Sequence, residues 1–334
     1  MKLISICIPT YNRPFLLKNC LNSIYLAQKK YKIDFEICIT DNSDLKTNKL
    51  IIKKFKSKLP IKYLNNKKNI GSAKNIIKSV SLAESKFAWI IGDDDMILPN
   101  SFKILEKNIN KNSKVDFFYI NSLCMHSNNL SKKKKLFDTS QLPKNLKKFS
   151  NYKGVKKLRF LSLINRKISF DLLGGQFLSL FRVSLWKKYS NSLSKTALND
   201  LRVFSHLHNT FPHTVIFARA FNKKEAYFID KPLSINLFGN RGWEKKWPLV
   251  KSVRLIELLE HFKENGLNIL NYLILKNQLL DTFIPDFFYL FFNRKKLNLE
   301  FLNFFKIFLK NIFFINFYLS FFYYILRKIK KKYV

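Results

Sequence analysis

Glycine is scarce in this chain, 8 of 334 residues, and cysteine scarcer still at 4. No Gly-x-Gly-x-x-Gly follows the first apolar run, which speaks against a dinucleotide site, and no Gly-x-x-x-x-Gly-Lys-Ser/Thr occurs, which excludes a P-loop. Cys7, Cys20, Cys38 and Cys124 stand too far apart for a Cys-x-x-Cys metal site. Cys7 and Cys38 fall inside apolar runs, where a thiol behaves as a small hydrophobe. With no disulfide framework in view, a reducing cytosol is expected. The apolar run at the amino terminus is too short for a secretory leader, and no small-residue cleavage site follows it.

Carboxylates are few as well. The 22 Asp and Glu face 61 Lys and Arg, a formal net charge of +39. Such an imbalance points to an anionic partner, nucleic acid or the anionic face of a membrane. A solvated basic surface in a chain rich in Lys, Asn, Ile and Phe accounts for it equally. No helix-turn-helix or zinc-finger spacing is present, so nucleic acid is not expected as a partner.

Against that shortage, three acids stand together. Phe87-Ala88-Trp89-Ile90-Ile91 is a buried-strand pattern that ends in Gly92-Asp93-Asp94-Asp95. In an open α/β sheet the carboxyl ends of strands carry the ligand site. Adjacent carboxylates repel one another, and a divalent cation sharing its shell with phosphate oxygens relieves them; a solvated acidic turn is the plain alternative. The chain before this point alternates strand and helix. Strands are expected at Leu3–Ile8, Phe35–Thr40, Ile61–Leu64 and Phe87–Ile91. Between them come a helix from Pro14, with Leu17, Cys20, Leu21 and Ile24 on one face, a Lys-rich helix to about Lys58, and a helix opened by Asn69–Asn75. This is a mostly parallel sheet with helices on both faces, and all the polar loops fall at one rim.

Four segments in register carry a resemblance: Ser5–Arg13, Ile39–Ser43, Asn69-x-Gly71-x-Ala73-x-Asn75 and Gly92–Asp95. Over residues 3 to about 105 the chain resembles the family-two glycosyltransferases of the GT-A fold, and among them bacterial enzymes of the abequosyltransferase type, which build surface polysaccharides. The resemblance implies an α/β catalytic domain over 1–248, with a nucleotide-sugar half (1–105) and an acceptor half (106–248). It implies inverting transfer of a hexosyl or deoxyhexosyl group from a nucleotide-diphosphate donor, with a divalent metal, Mn or Mg, as cofactor.

Residue by residue, it places Pro9, Tyr11 and Arg13 along the nucleoside, with Tyr11 packing on the base and Arg13 pairing with phosphate. Asp41 would accept a hydrogen bond from the base, with Thr40 where the family usually has an acid. Gly71 and Lys74 belong to an anion-binding helix start; Lys74 stands for the family's frequent Arg. The family's first acid falls on Gly92, so the metal motif is shifted: Asp94 is the expected ligand with Asp95 nearby, and Asp93 turns towards the ribose or sugar. Gly174–Arg182 resembles the segment under the acceptor site, although Gly174-Gly175 also suits a plain turn. Asp200 is the positional candidate for catalytic base or, equally, a helix-start Asp. Of His206, His208 and His213, the last is favoured for contact with diphosphate or metal, fixed in a loop by Pro212.

The remaining segments are read from composition and pattern. Asp116–Cys124 is expected as a strand. A polar loop with four lysines at 132–135 precedes a loosely ordered stretch to about Lys157, a candidate lid. Strands at Val215–Arg219 and Ala226–Ile229 would close the catalytic domain, with Gly239–Trp243 as a wall of the site. From about Leu249 the pattern is helical, a segment 249–334 with no acid after Glu300. Asn311–Leu326 is sixteen residues without charge, short of the roughly 20 that span a bilayer. Asn303, Lys306, Lys310, Asn316 and Ser320 fall broadly on one side of a helical wheel. Arg327, Lys328 and Lys330–Lys332 form a basic tail. A helix lying in an anionic cytoplasmic leaflet is expected, with a buried carboxy-terminal helix as the alternative.

Together these features predict a peripheral enzyme at the cytoplasmic face of a bacterial inner membrane. It would glycosylate a lipid-linked or lipooligosaccharide acceptor. A nucleotidyltransferase on a similar sheet and a non-catalytic basic nucleic-acid binder are the alternatives.

Overall fold

The first apolar run forms β1 (Ile4–Thr10), buried along almost its whole length. The protein is seen in a computed structural model that describes every residue except Leu45, 132–135, 240–241 and 333–334. On one side of β1 lies β2 (Phe35–Asp41) with β3 (Ile61–Asn65) beyond it, and on the other lies β4 (Phe87–Ile90), all four parallel. These strands read as unbroken apolar runs because both faces are covered by helices: α1 (Pro14–Lys30), α2 (Lys46–Lys56) and α3 (Ser72–Ser81). Pro14 opens α1, and Leu17, Cys20, Leu21 and Ile24 are its buried stripe.

The chain continues through β5 (Met96–Ile97), α4 (Ser101–Lys111), β6 (Phe117–His126), α5 (Asn128–Ser131), and the two short strands β7 (Lys147–Lys148) and β8 (Lys157–Arg159). Then come β9 (Ser179–Arg182), α6 (Val183–Tyr189), α7 (Lys195–Asn199), α8 (Leu207–Thr210), α9 (Pro212–Phe221) and β10 (Glu225–Phe238). The sheet runs β3-β2-β1-β4-β9-β6-β10-β5. β9 is antiparallel to β4 and β6, whereas β10 is parallel to β6. The mixed sheet is thus mostly parallel, as expected.

Val215–Arg219, expected as a strand, is helix. It forms the middle of α9, which starts at Pro212 and buries nine of its ten residues. A helix apolar on every side has no 3.6-residue stripe to show, so a short window of it reads like a buried strand. The stretch before β8 is irregular yet anchored: the Phe137 N–H donates to Asn19 Oδ1 at 2.8 Å, and Asn121 Nδ2 donates to the Ser150 carbonyl at 2.8 Å. The four-lysine run 132–135 and Asn240-Arg241 lie outside the described residues.

After β10 every described element is helical: α10 (Trp247–Leu249), a π-helical turn at Val250–Arg254, α11 (Leu255–Glu264), α12 (Ile269–Leu279), α13 (Phe283–Phe292), α14 (Phe304–Leu309) and α15 (Ile315–Lys332). The core is continuous across residue 249, running from Ile4 through Phe262 and Phe283 to Phe317. Among the described residues no helix is long and apolar enough to cross a membrane.

α15 is inside out. Its polar residues face the protein: Asn316 bonds the Asn277 side chain and carbonyl at 2.9 Å each, and buried Ser320 accepts the Ile284 N–H at 3.1 Å. Tyr318, Phe321, Phe322 and Leu326 point outwards, each at least half exposed. The side chains of Arg327, Lys328 and Lys330–Lys332 lie outside the described residues.

Candidate functional site

Strand register brings the polar loops together. Thr10 at the end of β1 pairs with Asp41 at the end of β2, and Cys7 pairs with Ile90, so the acids after β4 emerge beside the loop that follows β1. The acids sit in a tight turn closed by Asp95 N–H to the Gly92 carbonyl at 3.1 Å. Asp95 is turned into this turn: its Oδ2 accepts the Gly92 N–H at 2.9 Å and its Oδ1 accepts Asn236 Nδ2 from β10 at 2.9 Å. A Cβ on residue 92 would stand 2.5 Å from Asp94 Oδ1 and 3.1 Å from Asp95 Oδ2. Glycine leaves room for the two carboxylates to fold over the backbone at this point; a larger residue would push the Asp94 carboxylate aside.

Asp93 and Asp94 converge on one cation. Arg13 Nη1 lies 3.4 Å from Asp93 Oδ1 and 3.2 Å from Asp94 Oδ2. Asp93 also accepts the Thr10 hydroxyl at 2.7 Å and the Tyr11 N–H at 3.4 Å. Burial, and then the charge of Asp94, still push its carboxyl up to about 7 against the pull of Arg13, Thr10 and Tyr11. The guanidinium of Arg13 is in turn held above its ordinary value: burial works against it, and Asp93 and Asp94 outweigh that. Tyr11 is exposed beside this cluster.

On the β2 side the reading of Asp41 meets a different geometry. The carboxylate is buried and turned inwards: Oδ1 accepts the Ser43 N–H at 2.8 Å and Asn48 Nδ2 at 3.3 Å, and Oδ2 accepts the Tyr63 hydroxyl at 3.1 Å. Four asparagines tie the loops: Asn66 Nδ2 donates to Asn42 and Asn75, Asn42 Nδ2 donates to Asn69, and Asn75 Nδ2 donates to the Thr10 carbonyl. Asn48, Asn66, Tyr63 and Asn236 were not singled out in the sequence. Asn236 did carry a signal, as a polar residue in the apolar run Leu233–Leu237. Gly71 precedes α3 with φ at 85°, and a Cβ there would stand 3.1 Å from a Leu201 methyl. Lys74 in the first turn of α3 donates to Asn199 Oδ1. The segment 199–201 therefore closes over the α3 start.

Gly174–Leu178 leads into the start of β9, beside the end of β4, and Trp89 Nε1 donates to the Phe177 carbonyl at 2.8 Å. Asp200 ends α7 rather than starting a helix. Arg202 grips it through Nε to Oδ1 at 3.0 Å and Nη2 to Oδ2 at 2.7 Å, and His206 Nε2 lies 3.5 Å from Oδ2. Arg202 first, with Ser205, holds the carboxyl well below the usual carboxylate range against the opposing effect of burial. His208 accepts the Ser194 N–H at Nδ1. His213 lies in the first turn of α9, buried, with Nε2 3.2 Å from the Leu173 carbonyl. Burial lowers its pKa to about 4 despite the Leu173 and Gly174 contacts. The structure thus joins Tyr11, Arg13, Asp93 and Asp94 in one cluster; Gly71 and Lys74 stand at the α3 start, where Leu201 and Asn199, on either side of Asp200, meet them.

The model of the family "Glycosyl transferase family 2" matches residues 5–171. Abequosyltransferase RfbV of Salmonella typhimurium is 30% identical over 251 residues, 73% of this chain and 69% of that one. The chain belongs to glycosyl transferase family 2. An uncharacterized glycosyltransferase of Methanocaldococcus jannaschii is 31% identical over 120 residues, 35% of this chain and 40% of its own. Among solved structures, residues 1–349 of S. aureus TarS superpose with a TM-score of 0.51 at 13% identity, covering 90% of this chain and 88% of that chain. A mannosyltransferase of Pyrobaculum calidifontis, solved with GDP-Man and Mn2+, gives 0.52 at 11%, covering 86% and 72%. The fold is that of the GT-A glycosyltransferases, and the protein is a glycosyltransferase. Every residue of the Tyr11–Asp95 cluster falls inside the matched stretch; Asp200 and His213 lie beyond it.

Proposed function

We propose that the enzyme moves a sugar from a nucleotide-diphosphate donor to a hydroxyl of a lipid-linked or lipooligosaccharide acceptor, with inversion, at the cytoplasmic face of a bacterial inner membrane. The observation that carries the donor site is the convergence of Asp93 and Asp94 on Arg13 at the rim of the sheet. Tyr11 offers an exposed ring to a base, while Lys74 and the N–H groups opening α3 favour the diphosphate. Asp41, held by Ser43, Asn48 and Tyr63, shapes the floor of this loop.

The same residues suit a divalent metal. Two crowded carboxylates, one of them pushed up to about 7, gain from a further positive charge. No group of three His, Cys, Asp or Glu side chains among the described residues forms a cage, so the shell would be completed by substrate oxygens. Asp94 would hold the ion, Asp93 beside it would face the ribose or sugar, and Asp95 keeps the turn in shape. A bound Mn2+ or Mg2+ supplies charge neutralisation at the leaving diphosphate; the Pyrobaculum enzyme, with GDP-Man and Mn2+, supports this reading.

Asp200 takes the acceptor proton in this scheme. In the grip of Arg202 it is a poor proton acceptor, so the guanidinium must leave before the carboxylate can act. His213, buried against the Leu173 carbonyl, supports the backbone under the acceptor segment.

The membrane reading rests on α15. An exposed stripe of Phe, Tyr, Ile and Leu on an otherwise basic chain suits an anionic leaflet. The acceptor class also follows the abequosyltransferase likeness.

Melting the protein with UDP, GDP, CDP and dTDP, with and without Mn2+, tests the donor site. At least one nucleotide should stabilise the wild type, and Asp94→Ala should abolish the response; no response in the wild type overturns the reading. Phosphatidylglycerol vesicles should sediment the wild type and leave a folded Phe321→Asp/Phe322→Asp variant in the supernatant. Equal sedimentation of the two defeats the membrane arm alone.

A further inference from the structure

Asp200 sits on a loop, 200–206, that is held from outside itself. Phe204 in this loop has φ of 64°, a left-handed backbone that a residue with a side chain keeps only where its surroundings hold it. The hold comes from the helices beyond β10. Arg254, buried at the end of the π-helical turn, donates from Nε to the Phe204 carbonyl at 2.8 Å and from Nη2 to the Ser205 carbonyl at 2.6 Å. Its Nη1 meets both oxygens of Glu257, at 2.6 and 2.7 Å, and that carboxylate aims the guanidinium. A planar fork with fixed donor directions can bind two successive carbonyls and a carboxylate at once; an ammonium cannot.

These bonds lead on to the carboxylate. Ser205, whose carbonyl Arg254 binds, is one of the groups that hydrogen-bond the Asp200 side chain. Asn209 of α8 ties the same loop from the other flank: Nδ2 donates to the Asp200 carbonyl at 3.1 Å and to Ser205 Oγ at 2.7 Å, and Oδ1 accepts the His206 N–H at 3.1 Å. Asn209 is a near neighbour in sequence, whereas Arg254 reaches Phe204 across 50 positions.

We propose that Arg254 is a positioning residue for the transfer reaction. It fixes the 204–205 backbone so that Asp200 is presented beside the α3 start, and the release of Arg202 from Asp200 then takes place on a backbone that stays put. The inference rests on the assignment of Asp200 as base. It adds that the helices after residue 249 belong to the catalytic unit, whatever their part at a membrane.

Hydrogen exchange of the full chain, read on peptic peptides spanning 200–206, tests it. The N–H groups of Arg202, Ser205 and His206 are all bonded in this region. In Arg254→Ala these peptides should exchange about tenfold faster, the worth of one hydrogen bond to a charged group, while β1, β2 and β4 exchange as in the wild type. A cavity of about 260 Å³ opens on Arg254, Ser205, His206 and Glu257, so ethylguanidinium can take the place of the lost side chain. It should restore slow exchange and turnover; ethylammonium, with the charge and no fork, should not. Unchanged exchange in 200–206, acceleration spread evenly over the chain, or a rescue that does not favour ethylguanidinium overturns the inference. If Arg254→Ala does not fold, Glu257→Ala, at a partly exposed side chain, should speed the same peptides, and unchanged exchange there overturns it equally. Turnover judges the base by itself: Asp200→Asn should lose it. An Asp200→Asn variant that transfers like the wild type overturns the base reading and leaves the exchange result standing, so the two failures are separable.

Discussion

Glu36 and Asp93 are buried carboxylates at opposite rims of one sheet, and their surroundings have opposite effects. At the amino rim Glu36 is met by the hydroxyls of Ser5 and Ser85, the N–H groups of Glu84 and Ser85, and the ammonium groups of Lys2 and Lys62. Burial alone would raise its pKa; Lys62, the Ser5 hydroxyl, the Glu84 N–H and the Ser85 hydroxyl bring it down to about 2. At the carboxyl rim burial, and then the charge of Asp94, outweigh the one arginine shared between the two acids, and the Asp93 pKa rises to about 7. A buried acid whose neighbours answer its charge belongs to the scaffold. One whose neighbours add to that charge leaves room for a cationic ligand, at a cost in stability.

The sharpest way to break this contrast is Asp94→Ala. It should cut transfer by about 10²–10³-fold, the usual loss on removing an electrostatic stabiliser, with an unchanged circular dichroism spectrum. Retained turnover would mean that the carboxyl rim is no site. Glu36→Ala should do the reverse, lowering the free energy of urea unfolding by about 3–5 kcal/mol because its donors lose their partner. The variant that remains folded should turn over normally.

Titration sharpens the contrast further. Glu36 has a folded pKa of about 2 against an ordinary 4.5. Its contribution is full above pH 4.5 and lost as pH falls to 2, so the stability gap between wild type and Glu36→Gln should close by about 3 kcal/mol across that window. Asp93 has the opposite sign. Its folded pKa of about 7 lies above the ordinary 3.8, so its penalty sets in above pH 3.8 and is complete past pH 7. Asp93→Asn should raise the melting temperature at pH 8 and leave it unchanged at pH 4; a gain independent of pH would refute the cost of burying this charge beside Asp94. The smallest effect is expected from Gly71→Ala, where φ of 85° and the nearby Leu201 methyl cost about 1–2 kcal/mol, read by thermal melting.

Much of this sheet was legible because parallel strands are continuous apolar runs that give way to polar residues at Thr10, Asp41, Asn65 and Gly92-Asp93, and because the rim loops sit at those ends. The expected ends of β1 to β4 differ from the observed ones by no more than two residues. What the sequence hid was polar chemistry assembled from afar. Asn236 reaches Asp95 across 141 positions, and nothing in local periodicity announces it. Asp200 was found by position, whereas the Arg202 clamp two residues on, readable as a neighbour, was not weighed. The wheel of the last helix correctly separated Asn316 and Ser320 from the aromatics. A wheel cannot say which side meets the protein, and here the polar side does.

That arrangement sets a length. Phe317 and Ser320 are buried on α15, which shares one core with the sheet, so on the proposed membrane reading a lipid surface resting on Phe321 and Phe322 would stand at a fixed height from Asp94. The protein would then measure its acceptor like a ruler. A glycan too short to rise from the bilayer, or one sugar too long, would present its hydroxyl at the wrong level even when its chemistry is right.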